Sequence, residues 1–161
     1  MTDPNPLAFA KLPADLLTLL ASRAVHDALQ PLHHLVRLLH VLAAAGFFGS
    51  VALLDLRALR PPGVVPFAAL ARQVHPWLVT SFALTIASGV VLFAYDPIRV
   101  GAHAYFTPKL ALLALGLGNA WLLHGARSAS RLAGAVSLAA WLGVMICSAL
   151  NHEAAPRVAL W

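Results

Sequence analysis

Eight histidines are the side chains best placed to do chemistry in a chain of 161 residues that is 60% hydrophobic and 11% charged. Neutral imidazole is the commonest side-chain ligand for metals. His33, His34 and His40 stand at the start of one apolar stretch, and His75 opens a second. His124 closes a third stretch, His152 closes a fourth, and His26 and His103 fall between stretches. Two imidazoles at equal depth between helices can hold the iron of haem b from both sides. Depth alone pairs His40 with His152 at one end of the helices, and His75 with His124 at the other. At 100° per residue, His33, Arg37 and His40 share about 60° of one helix face. Arg37, one turn outward from His40, is where a haem propionate would be expected, held bidentately by the guanidinium. Ala43, Ala44, Ala45, Gly46 and Gly49 follow on the same helix and allow a flat ring, or a second helix, to come close.

Histidine at a membrane edge is also a common interfacial residue with no ligand role, and small-residue strings also serve ordinary helix packing in lipid. The same bland reading applies elsewhere. Gly116, Gly118 and Asn119 read as packing residues, with Asn119 hydrogen-bonding across helices. Trp77, Trp121 and Trp141 read as belt or packing residues. Asp55, with Arg57, reads as an anchor at the end of the first span.

These side chains need elements to position them. Soluble domains run about 45–50% apolar and about 25% charged, so the composition points to an integral membrane protein. The net charge of +5 is spread thinly, with no basic run for nucleic acid. Cys147 is the only cysteine and Met1 one of two methionines, which excludes a disulfide framework and a soft-sulfur copper cluster. Leu38–Leu54, Trp77–Tyr95 and Leu132–Leu150 run 17, 19 and 19 residues without a full charge. A bilayer core needs about 20. Tyr105–Ala126 gives 22 residues with Lys109 alone charged, close enough to one end to snorkel to the headgroups.

The expected fold is all-α, an integral membrane four-helix bundle with helices over 33–58, 76–95, 106–126 and 131–151. Pro76 should open the second helix, and Phe67–Val74 should form a separate surface helix. Ser128 and Ser130 are available to cap the fourth. In the N-terminal segment, Leu17, Ala21, Val25 and Leu29 recur every four positions against Asp15, Ser22, His26 and Gln30. That pattern predicts one amphipathic interfacial helix ended by Pro31. The organisation is thus an interfacial segment (1–31), the bundle (32–152) and a short tail (153–161). Met1–Pro6 lacks the basic start of a secretory signal.

An even number of spans puts both termini on one side, which carries six Lys/Arg against five on the other. Long N-terminal segments count less in such a tally. The reading therefore places the short-loop side in the cytoplasm of a bacterial inner membrane and both termini in the periplasm.

The stretch Leu39–His40–Val41–Leu42–Ala43–Ala44–Ala45–Gly46–Phe47–Phe48–Gly49 resembles the first helix of several small bacterial membrane families. These include the copper resistance protein D family and the HemJ type of protoporphyrinogen oxidase. Lys109–Leu110, with a run ending in Leu123–His124, is similar to the third-helix pattern of HemJ. Together with Leu54–Asp55–Leu56–Arg57, Phe93–Ala94–Tyr95–Asp96–Pro97 and Asn119, the string looks like an uncharacterised family of four-helix bacterial proteins. That resemblance covers roughly residues 35–145. It implies a four-helix membrane fold and haem b at His40. Where HemJ proteins continue towards a Pro-Arg-aromatic motif, this chain reads Leu-Asp-Leu-Arg, which speaks against protoporphyrinogen oxidation.

The leading expectation is a b-type cytochrome-like electron carrier, acting as an oxidoreductase subunit, with His40, His152, His75 and His124 as iron ligands. The bilayer would be its surroundings, and a homodimer or larger membrane redox complex its assembly. The alternatives are a non-catalytic anchor or assembly subunit and a small metal or ligand transporter.

Overall fold

The computed structural model describes residues 11–61, 66–123 and 130–153, and no strand occurs among them. Two short helices, α1 (Ala14–Leu20) and α2 (Arg23–Leu29), lead through a 3-10 turn (Gln30–Leu32) into α3 (His33–Leu59). There follow α4 (Phe67–Tyr95), the short α5 (Pro97–Gly101), α6 (Phe106–Leu123) and α7 (Arg131–Glu153). The runs Arg23–Leu59, Phe67–Tyr95 and Arg131–Asn151 are long and apolar enough to cross a membrane by length and composition. At 1.5 Å per residue, the 27 residues of α3 and 29 of α4 extend about 40 Å. The helix α6 is described over 18 residues, and its expected continuation to 126 lies outside the described residues.

Helix α3 is the central element, packed on α4 along one side and on α7 along another, while α7 also packs on α6. The core is aromatic. Phe47 of α3 meets Trp141 of α7 edge-to-face at 4.6 Å and Phe82 of α4 at 5.1 Å, with Val51 and Val144 completing the cluster. Trp141 lies flat enough on α6 that a Cβ on Gly116 would stand 2.8 Å from its Cε2. Gly116 therefore packs as its spacing suggested, and Trp141, 5% exposed, is a packing residue. Trp77 and Trp121 are largely exposed. Gly116→Ala is expected to cost about 1–3 kcal/mol through overpacking, read from thermal unfolding in detergent. The Asn119 side chain donates to the Ala133 carbonyl of α7 at 3.1 Å, and Ser130 Oγ caps that helix by accepting from the Ala133 N–H. Ser128 lies outside the described residues.

The outer surface is the reverse of a soluble protein's. Leu35, Leu38 and Leu42 on α3, Val90 on α4 and Ile146 on α7 are each more than half exposed. The one residue of α4 that is fully buried is a serine, Ser88.

Two expectations need correcting. The N-terminal segment is two helices, broken where Ala21 and Ser22 adopt extended backbone. The break arises because α1 turns Leu17 into α5, against Gly101, whereas α2 turns His26 onto α4. At Pro31 the α-helix does give way, since α2 stops at Leu29, but the 3-10 turn that holds the proline leads directly into α3 and the chain does not turn away there. Nor is there a separate surface helix before Pro76. Helix α4 runs through that proline, forgoing only the bond its missing N–H would have made.

The segment after α5 holds His103, partly buried, whose backbone carbonyl accepts from the Phe106 N–H. Burial lowers its imidazole pKa below the ordinary value, and the Arg99 charge adds to this. The neutral ring is thus the form that suits the fold. Its contribution is complete above the unfolded value of about 6.5 and fades as pH falls through the lower folded value. Hydrogen exchange across residues 97–106 is expected to speed up on acidification from pH 7.5 to 5. His103→Gln should remove that dependence.

Candidate functional site

Helix α3 brings His40 against the last third of α4. Its Nδ1 lies 3.0 Å from Ser88 Oγ and 3.1 Å from the Thr85 carbonyl. A carbonyl only accepts, and the Ser88 hydroxyl already gives its proton to backbone carbonyls of its own helix, Leu84 and Thr85. Nδ1 must therefore carry the hydrogen, which leaves Nε2 with a free lone pair. Metal-binding imidazoles are commonly held this way, one nitrogen anchored to a backbone carbonyl and the other turned to the metal. Gly89 makes room for the ring, since a Cβ there would stand 3.2 Å from His40 Cε1.

The same end of the helices holds further polar groups. Lys109, two turns at most from the start of α6, is close enough for its charge to act on His40, and it interacts electrostatically with Cys147 of α7, which is buried. Thr107 Oγ1, near the start of α6, and Asn151 Oδ1, near the end of α7, are buried without a hydrogen-bond partner. Buried polar atoms normally find partners, so two orphans near one end are a local anomaly. Chemically, the imidazole can ligate a metal through Nε2, and the ammonium can hold a carboxylate.

Sequence reasoning missed Thr85, Ser88 and Gly89. A signal existed: Ser81, Thr85 and Ser88 recur at helical spacing along one face of α4. They escaped notice because each hydroxyl bonds a carbonyl of its own helix, the ordinary habit of Ser and Thr in apolar helices.

The remaining histidines separate. His33 and His26 stack on opposite sides of the Tyr95 ring, each with centroids 4.3 Å away, and His26 Nδ1 lies 2.8 Å from the Tyr95 carbonyl. Arg37 is exposed, and its charge acts on His33. His75 is exposed near the other end of α4, about 20 Å from Ser88 by helix rise. His152 belongs to the last turn of α7, at the His40 end of the helices, but its side chain lies outside the described residues, as does the whole of His124. Among the described residues, no three of His, Cys, Asp and Glu gather into a metal-holding group.

Asp55, expected as an anchor at the end of the first span, is buried. It is 9% exposed and faces the first turns of α7, where Ser137 hydrogen-bonds one side of its carboxyl while Oδ2 has no partner. Arg57 donates to the Pro61 carbonyl. Glycine at 134 lets the two backbones meet there, because a Cβ would stand 3.2 Å from the Asp55 carbonyl oxygen.

Comparison with known proteins gave no matching family model, no similar curated protein and no similar solved structure.

Proposed function

We propose that the chain is a four-helix integral membrane protein of the b-type cytochrome kind, binding haem at the His40 end of α3, α4, α6 and α7 and serving electron transfer as an oxidoreductase subunit. Membrane insertion is supported by three helices of spanning length and by leucines turned outward along them. So much exposed apolar surface is tolerable in lipid and a liability in water. In keeping with the sequence reading, the membrane is a bacterial inner membrane with both termini on the periplasmic side.

The observation that carries the redox reading is the anchored imidazole. His40 is tied through Nδ1 to α4 and keeps Nε2 free inside an otherwise apolar helix pair. The donor set fits haem b, which brings its own equatorial nitrogens and needs from the protein an axial imidazole and partners for its carboxylates. Lys109 is a cation within electrostatic reach of His40, and the unpartnered Thr107 hydroxyl is a donor two residues before it on α6. His152 is the proposed second axial ligand. Haem supplies a one-electron iron couple. The protein's contribution is to fix the ring tautomer, neutralise carboxylates and exclude water.

The test is the haem content of protein purified from membranes after expression with haem supply, by alkaline pyridine extraction. The expected result is about one haem per chain. A folded, membrane-derived protein that carries none and takes up none when haem is added would contradict the proposal.

A further inference from the structure

One buried carboxyl has no part in the His40 site. Asp55, near the other end of α3, is 9% exposed, and its Oδ2 has no hydrogen-bond partner. Ser137 of α7 hydrogen-bonds the carboxyl. Gly134 closes the two helices beside it, since a Cβ there would stand 3.1 Å from the Ala58 Cβ and 3.2 Å from the Asp55 carbonyl oxygen. Asp55 forms no ion pair with any described residue. The charged and titratable groups described at this end of the helices are Arg57 and Arg60 on or next to α3, Arg72 and His75 on α4, and Arg131 on α7. Arg57 donates to the Pro61 carbonyl, and the other four are exposed. The described part of α6 brings no titratable group to this end.

A buried carboxylate without a counter-charge is among the costliest groups a protein interior can hold, and a proton, a basic side chain or a metal ion relieves it. The surroundings of Asp55 separate the three. No basic side chain pairs with it. Hard metal ions take about six oxygens or more, whereas the described neighbours supply this carboxyl and one hydroxyl, and no group of three metal-binding side chains forms among the described residues. A proton needs only the oxygen that lacks a partner. We propose that Asp55 is a proton-binding site, its carboxyl held as the neutral acid in the closed contact between α3 and α7. The proton comes from water at this end of the helices, which lies about 6 Å away by helix rise, four residues on at Leu59. Binding joins one carboxylate and one proton, and release reverses it when the contact opens. The site depends on the packing of α3 against α7 and is independent of haem.

The experiment is the infrared spectrum of the full chain, reconstituted in vesicles at pH 7 without sodium, in water and in heavy water. Ordinary Asp and Glu side chains are ionised there by about 500-fold or more, so a protonated acid gives a carbonyl band of its own. Wild type is expected to show that band, shifted in heavy water. Asp55→Asn should lose it, and Asp15→Asn, a change at an exposed acid, should keep it. Ser137→Ala removes the hydrogen-bond partner and should move the band without abolishing it, which assigns the acid even where Asp55→Asn does not fold. A wild-type spectrum without the band, a band that survives in Asp55→Asn, or one unmoved in Ser137→Ala would each overturn the proposal. So would loss of the band on adding sodium or calcium ions at constant pH, since the carboxylate would then be taking a cation. Flotation of the chain with vesicles decides membrane insertion separately.

Discussion

His40→Gly is expected to abolish haem retention through purification while leaving the helical content unchanged. The ring touches α4 at one carbonyl, one hydroxyl and the open face of Gly89, contacts whose loss a long packed helix pair would tolerate far better than a haem site would tolerate loss of the proposed iron ligand. Two milder variants should grade the effect. Ser88→Ala removes one of the two groups that receive the Nδ1 hydrogen but keeps the Thr85 carbonyl, so affinity should fall about tenfold, the low end of the usual cost of losing an orienting partner. Gly89→Leu places a side chain where His40 Cε1 now sits 3.2 Å from an imagined Cβ. It should displace the ring and lose haem as fully as His40→Gly. Haem-to-protein ratios of the three purified variants check this order.

Trp141→Ala is expected to be the most destabilising single truncation among the described side chains, by about 3–5 kcal/mol. On the proposed membrane reading there would be little hydrophobic gain in bringing helices together, so association would depend on tight packing. Trp141 supplies that packing for three helices at once, edge-on to Phe47 of α3 and over Gly116 of α6 from its own place on α7. Its removal leaves a void that Phe47 and Val144 cannot close without moving α7. The contrast is Trp77→Ala. That ring is 75% exposed, and its loss should change stability by no more than about 0.5 kcal/mol. Unfolding of both variants in the same detergent, against wild type, measures the difference.

Charge-free apolar runs located the long helices because they reflect a simple constraint, the cost of placing charge in an apolar stretch. The expected ends 33–58 and 131–151 fall within two residues of His33–Leu59 and Arg131–Glu153, the third helix starts at Phe106 as expected, and the second ends at Tyr95 as expected but starts nine residues early, at Phe67. Pro76 was misread because a missing N–H breaks a helix only where that donor is needed or the ring clashes, whereas at Pro31 the α-helix does stop, at Leu29, and a 3-10 turn carries the chain on. The four-residue recurrence of Leu17, Ala21, Val25 and Leu29 ran across a joint, since periodicity does not register two short helices docking on different partners.

Of the candidate site, His40 stood out as an imidazole set inside an apolar run, and in the structure its ring meets Thr85 and Ser88 of α4. Its partners were hidden, because Thr85 and Ser88 look like any helix hydroxyls and the Thr85 contact is made by the backbone. Lys109 was visible, but its approach to His40 depends on how α6 is rotated against α3, which no single helix encodes. His26 read as the polar side of a surface helix, yet it stacks on an aromatic ring 69 positions away.

The most direct measurement is an optical titration of haem into lipid-reconstituted wild type and His40→Gly side by side, with and without free imidazole. Wild type should give a saturable Soret band with sharp reduced-state bands. The glycine variant should give none until imidazole is added, when the small base takes the vacated place and restores the spectrum. A wild-type protein that gives no saturable spectrum, or a His40→Gly variant whose spectrum matches wild type without imidazole, would contradict haem ligation by His40.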